Sequence, residues 1–208
     1  MELRILDLEA TEMRVEGEEQ RKIVGYAAVF NRKSKDLGGF VEIIRPGAFR
    51  KAIEGADIKA LFNHDPNYVL GRTTSGTLTL EENQKGLRFE ITPPETQIIR
   101  DLVLAPIERG DVSGCSFSFG LAKNGDKWSE QGETYLREVI ETSVIGDVGP
   151  VTSPAYPATS VNLRSTKEVY DSHVSALRTQ KQEFEIARAR TRRKREIERQ
   201  INNGGKRA

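Results

Sequence analysis

His64 and Ser116 are the residues of this 208-residue chain whose types can together do covalent chemistry. His64 stands in LFNHDPNYVLGR, at the end of an apolar run, and the chain has one other histidine, His173. Ser116 stands in VSGCSFSFG, a run with strand character. Side chains alternate along a strand, so Gly114, Ser116 and Ser118 share one face while Cys115, Phe117 and Phe119 share the other. The phenylalanines face a core, which turns the small hydroxyl face elsewhere. An imidazole that takes the serine proton, oriented by a third group, is the minimum for nucleophilic acyl transfer. The residues leave blander alternatives open: an exposed strand-end histidine and an ordinary strand serine. The nucleophile elbow G-x-S-x-G is absent, because residues 114–118 read GCSFS. Cys115 lies on the phenylalanine face and reads as a small buried apolar residue.

For the third group the later strands offer Glu138, Glu141 and Asp147. Glu141 interrupts the apolar residues of REVIETSV, where a carboxylate needs a reason, although an outward strand face would supply one. Asp147 follows Gly146 in VIGDVGPV, where a turn or bulge role is equally open. The phosphate-loop, dinucleotide and calcium-loop motifs are absent. With one cysteine and two histidines, neither a disulfide scaffold, a cysteine zinc cage nor a histidine-rich metal site is expected, and no cofactor is expected.

The elements that must hold these residues read mainly as strands over residues 1–160. Arg21–Phe30, Phe40–Ile44, Ile58–Asn63, Gly76–Leu80, Gly86–Thr92, Ser113–Ala122, Tyr135–Ser143 and Val144–Val151 carry β-branched, aromatic or alternating patterns. Pro46-Gly47 introduces a short helix over Ala48–Glu54, and Ile98, Ile99, Leu102 and Val103 give Pro94–Ala105 helical spacing. Trp128-Ser129 falls near a loop, Glu81-Glu82 looks like turn surface, and Pro154, Pro157 and Ser160 close the body. Beyond Ser165, Glu168–Ile201 has no Pro or Gly and favours a charged helix that cannot bury a core alone. The division expected is a domain over 1–164 and a basic tail over 165–208, helical or disordered.

Charge follows the same division. The chain carries 32 Lys+Arg against 31 Asp+Glu, but residues 165–208 hold 12 basic and 6 acidic residues, a net of +6. Six of the twelve lie in Arg188–Arg195. A basic tail on an acidic body points to an acidic or polyanionic partner. Without interleaved aromatics or a recognised module, nucleic acid is the less favoured partner. No apolar run approaches the ~18 residues of a membrane span, and the acidic N-terminus is not a secretory signal. An intracellular, reduced setting and no membrane partner are expected.

Five segments in order resemble the prohead, or capsid-maturation, serine protease family of tailed bacteriophages. They are Gly25–Asn31 (GYAAVFN), Pro46–Phe49 (PGAF), His64-Asp65 with Leu70–Arg72 (LGR), Ser113–Phe119 (SGCSFSF) and Val148–Tyr156 (VGPVTSPAY). Cys115 and Ser118 depart from the Met and Gly usual there, and Asp147-Val148-Gly149 departs from the usual Glu-Val-Ser. The family is similar in fold to the herpesvirus assembly proteases. The resemblance implies a closed, mostly antiparallel barrel with flanking helices, and a C-terminal helical tail removable by self-cleavage. It implies an endopeptidase with Ser116 as nucleophile and His64 as general base; spacing after the nucleophile favours Glu141 as the acid, with Asp147 second. The implied substrates are the major capsid protein, with its scaffolding (delta) segment, and the protease itself as a homo-oligomer, inside the immature capsid in the host cytoplasm. A non-catalytic assembly protein and a nucleic-acid binder acting through the tail are the readings from other classes.

Overall fold

A computed structural model describes residues 1–6, 11–18, 20–132, 134–152, 167–180, 182–188 and 190. It forms two units, Met1–Thr166 and Lys167–Ala208. In the second unit residues 167–180 and 182–188 are helical, with Phe184 and Ile186 exposed. The ends of the expected basic block, at 191–195, and of the VGPVTSPAY segment, at 153–156, lie outside the described residues.

The first unit is built on a five-stranded sheet that carries the candidate residues. Its strands are β1 (Glu2–Leu6), β5 (Lys59–Leu61), β6 (Val69–Arg72), β9 (Gly114–Leu121) and β12 (Thr142–Val151), in the order β1-β9-β12-β5-β6. A second sheet joins β2 (Arg14–Glu16), β3 (Lys22–Val29), β7 (Leu78–Glu82) and β8 (Gly86–Ile91) in the order β2-β3-β8-β7. A third joins β4 (Phe40–Ile44), β10 (Asp126–Gln131) and β11 (Thr134–Val139) in the order β10-β11-β4.

The expected closed barrel is not what forms. Closure needs one hydrogen-bonded ladder that returns to its first strand. Among the described residues the ladders break into three open sheets, each with two edges. Two pairings, β11 with β4 and β12 with β5, are parallel. The protein is mostly β, and the helices of the first unit are short: α1 (Arg50–Ile53), α2 (Gln97–Ile99) and α3 (Ala105–Arg109), the last two joined by a π-turn over Arg100–Leu104. Pro106, lacking an N–H and crowding the preceding turn, stands where that wider turn gives way to α3.

β9 is fixed from behind. Cys115, Phe117 and Phe119 are buried in the main core. Phe117 stacks on Phe119 at 5.4 Å between ring centroids and meets Phe49 edge-on at 5.6 Å. Phe49 opens α1, where the Glu82 carboxylate accepts the N–H groups of Gly47 at 2.8 Å and Phe49 at 3.0 Å. Glu82 is thus a helix-start acceptor rather than turn surface.

On its other edge β9 pairs with β1, Ile5 lying opposite Ser116. The inward side of β1 is charged. Arg4 and Arg137 share Glu42 through Arg4 Nε–Oε1 at 2.7 Å and Arg137 Nη1–Oε2 at 2.9 Å. Glu2 and Asp126 complete the cluster, at 2.7 Å from Arg4 Nη2 and 2.8 Å from Arg137 Nε. Arg4 and Arg137 also lie against the rings of Phe119 and Trp128. Trp128 is therefore a strand residue of β10, its ring tilted against that of Phe40 at 5.0 Å between centroids, and not beside a loop.

Candidate active site

Three neighbouring strands bring the site together. Ser116 lies on β9, and Asp147 lies on β12 opposite Ser118. His64 follows β5, which runs beside β12 with Lys59 in register with Asp147. Gly149 stands opposite Ser116 on β12. A Cβ there would fall on the Leu61 carbonyl, far inside van der Waals contact, so glycine lets the chain that leads to His64 lie against β12.

The turn that presents His64 is specified by its backbone. Asn63 and His64 both take left-handed conformation, φ 54° and 59°. Such geometry costs a non-glycine residue about 1–2 kcal/mol, least for Asn. Fixed partners hold it. Asn63 N–H donates to the Pro150 carbonyl at 3.0 Å, and Asn63 Oδ1 accepts the Thr152 N–H at 2.9 Å. Asp65 N–H closes the turn on the Phe62 carbonyl at 3.0 Å. Sequence reasoning missed Asn63; the Asn-His pair after an apolar strand was its signal.

The imidazole is held at both nitrogens. Nδ1 meets Asp147 Oδ2, and Nε2 lies 2.6 Å from Ser116 Oγ. With the Nδ1 proton given to the carboxylate, Nε2 is the acceptor that faces the serine. Ser116 Oγ also lies 2.9 Å from the Arg4 carbonyl of β1. Its single proton therefore has two acceptors, and the nearer is the imidazole. Ser116 is fully buried, whereas the His64 side chain keeps 25% of its exposure, so the imidazole is the open side of the cluster.

Asp147 is buried, and burial alone would raise its pKa. The hydrogen bonds from His64 and Ser118, with the charge of a protonated imidazole, outweigh burial and hold its carboxyl below the usual range. Ser118 was expected only to share the face of Ser116; its hydroxyl donates to Asp147 Oδ1 and accepts the Asp147 N–H at 3.1 Å. Cys115 is buried behind the sheet, and burial pushes its thiol up to about 12, which leaves no thiolate for attack.

Glu141, preferred at first as the acid, is not at this site. It lies between β11 and β12, and its Oε1 accepts Lys51 Nζ at 2.9 Å on the surface. Asp147 is six residues further along, roughly 20 Å of extended strand. Glu138 is likewise elsewhere, bound by Arg45 Nε at 2.6 Å. Among the described residues no three His, Cys, Asp or Glu side chains converge as metal ligands, and no helix is long and apolar enough to cross a membrane.

A serine on an imidazole on a carboxylate is the arrangement that serine-dependent acyl transfer requires. The profile of the caudovirus prohead serine proteases matches residues 7–172, well over half of the chain. The chain belongs to that family, and so to the serine proteases of capsid maturation in tailed phages. No curated protein and no solved structure matches it.

Proposed function

We propose that this chain is an endopeptidase in which Ser116 attacks the peptide carbonyl, His64 is the general base and Asp147 holds the imidazole. The observation that carries the reading is the 2.6 Å approach of Ser116 Oγ to His64 Nε2 while Nδ1 rests on Asp147. As Oγ bonds to the carbonyl carbon, its proton moves to Nε2, and the carboxylate stabilises the imidazolium that forms. Nε2 then returns the proton to the leaving amine, and the peptide bond breaks to leave an acyl-serine. Water, deprotonated by the same nitrogen, releases the acid and restores the serine.

Membership of the family supports capsid proteins as the substrate class. In this reading the bonds cut are those of the capsid protein's scaffolding segment and of the protease itself, inside the immature shell, with the protease as a homo-oligomer. The test is co-expression with the major capsid protein of the same phage, followed by mass mapping of all new termini. The wild type is expected to shorten the capsid protein and itself; Ser116→Ala is expected to do neither while melting at the same temperature. Full processing by Ser116→Ala overturns the assignment.

A further inference from the structure

Ser118 has no part in the catalytic reading, yet it makes more contacts to the acid than an inert strand residue would. It stands on β9 directly across from Asp147 on β12. Its hydroxyl both donates to Oδ1 and accepts the N–H of the same aspartate at 3.1 Å, closing a ring around one residue. Oδ1 is the oxygen that His64 leaves unused, since Nδ1 meets Oδ2. The two contacts fix the carboxylate plane and aim Oδ2 at the imidazole. The ladder itself does not do this: the register between β12 and β9 shifts between Ile145 and Asp147, so the backbone there is irregular. Gly146 keeps the space clear, since a Cβ at that position would sit 2.6 Å from Ser118 Oγ.

We propose that Ser118 is a positioning residue that holds Asp147 in the rotamer that orients His64. The inference rests on the reading of Ser116, His64 and Asp147 as the catalytic set. The titratable groups around Asp147 are His64 from the turn after β5, Cys115 on β9 and, in register on β5, the exposed Lys59. Of these only His64 hydrogen-bonds the carboxylate, so loss of the Ser118 hydroxyl removes one of two side-chain donors that keep Asp147 ionised.

The test compares wild type, Ser118→Ala, Ser118→Cys, Ser118→Thr and Ser116→Ala. It reads kcat and KM on a capsid-derived peptide, and the pH titration of the Asp147 carboxyl carbon by NMR. A hydrogen bond to a charged group sets the scale, so Ser118→Ala should lower kcat about ten- to hundredfold with KM unchanged. The Asp147 titration should move to higher pH in the same variant. Ser118→Thr keeps the hydroxyl and should restore both. Ser118→Cys keeps the volume with a weak donor and should behave as Ala does, which carries the comparison if the alanine variant folds poorly. An unchanged kcat, or a lowered kcat with the Asp147 titration unmoved, overturns the positioning role. Continued cleavage by Ser116→Ala overturns the catalytic set instead.

Discussion

Asp147→Asn is the change that separates the acid the structure brings to His64 from the one the sequence preferred. The asparagine keeps the shape, so the sheet should be undisturbed. What changes is the proton inventory. If the new amide NH2 faces Nδ1, the imidazole must accept there and carry its proton on Nε2, where it can no longer take one from Ser116, 2.6 Å away. If the amide turns so that its oxygen faces Nδ1, its NH2 faces Ser118 Oγ, which already accepts the Asp147 N–H at 3.1 Å, and the negative charge is still lost. A wrong-tautomer triad loses about 10⁴ in kcat, or about 5 kcal/mol at 1.36 kcal/mol per decade; loss of charge with the tautomer kept should fall between that and about 10². Glu141→Gln removes one exposed pair with Lys51, worth about 0–1 kcal/mol of stability and nothing in turnover. The assay is kcat/KM on a peptide cut from the capsid protein, alongside melting curves. A crippled Glu141→Gln beside a normal Asp147→Asn would refute the reasoning. The depressed carboxyl has a stability signature as well. It favours the folded state above the ordinary carboxylate range, near ~3.9, and that advantage is lost as pH falls through the lower folded value. The stability gap between wild type and Asp147→Asn should therefore be present at neutral pH and shrink as pH falls through that range.

Gly149→Ala should abolish cleavage with only partial loss of stability, because its Cβ falls on the Leu61 carbonyl and pushes the His64 turn off β12; a fully active, normally folded variant would show that the two strands can part freely. Glu42→Ala leaves Arg4 and Arg137 without their shared buried partner and should lower the urea-unfolding free energy by about 3–5 kcal/mol, whereas Glu42 contributing nothing would mean that Glu2 and Asp126 suffice. In the tail, replacing the six basic residues of Arg188–Arg195 with Gln should reduce packaging into proheads without changing peptide cleavage, and the gap from wild type should narrow as salt rises and screens the wild-type contact; normal packaging would place the targeting surface on the first unit.

The strand pattern was legible where one face of a strand is apolar and the other polar. β8 and β9 announce themselves this way, β3 and β4 by their β-branched and aromatic residues, and the alternation of β9 told Ser116 apart from Cys115. β1 and β10 did not, for a physical reason. In Glu2–Leu6 the buried side carries Arg4 and Glu2, which are held by ion pairs rather than by apolar contact, so the hydropathy signal is inverted. In Asp126–Gln131 only Trp128 is apolar, and the strand is held by its backbone ladder to β11. Pairing was the deeper gap. Alternation identifies strands but not neighbours, and the closed barrel came from resemblance rather than from any residue. The same gap hides which carboxylate meets the imidazole: spacing along the chain favoured Glu141, whereas the register of β12 against β9 sets Asp147 opposite Ser118 and against His64.

The most direct test of the central claim is active-site labelling. A fluorophosphonate reacts with a serine only where a neighbouring base activates it. After exposure of the full-length protein and proteolytic mapping by mass spectrometry, the adduct should fall on Ser116 alone. His64→Ala should abolish it at unchanged melting temperature. An adduct on another serine, Ser118 included, or labelling of Ser116 that persists in His64→Ala, would contradict the account.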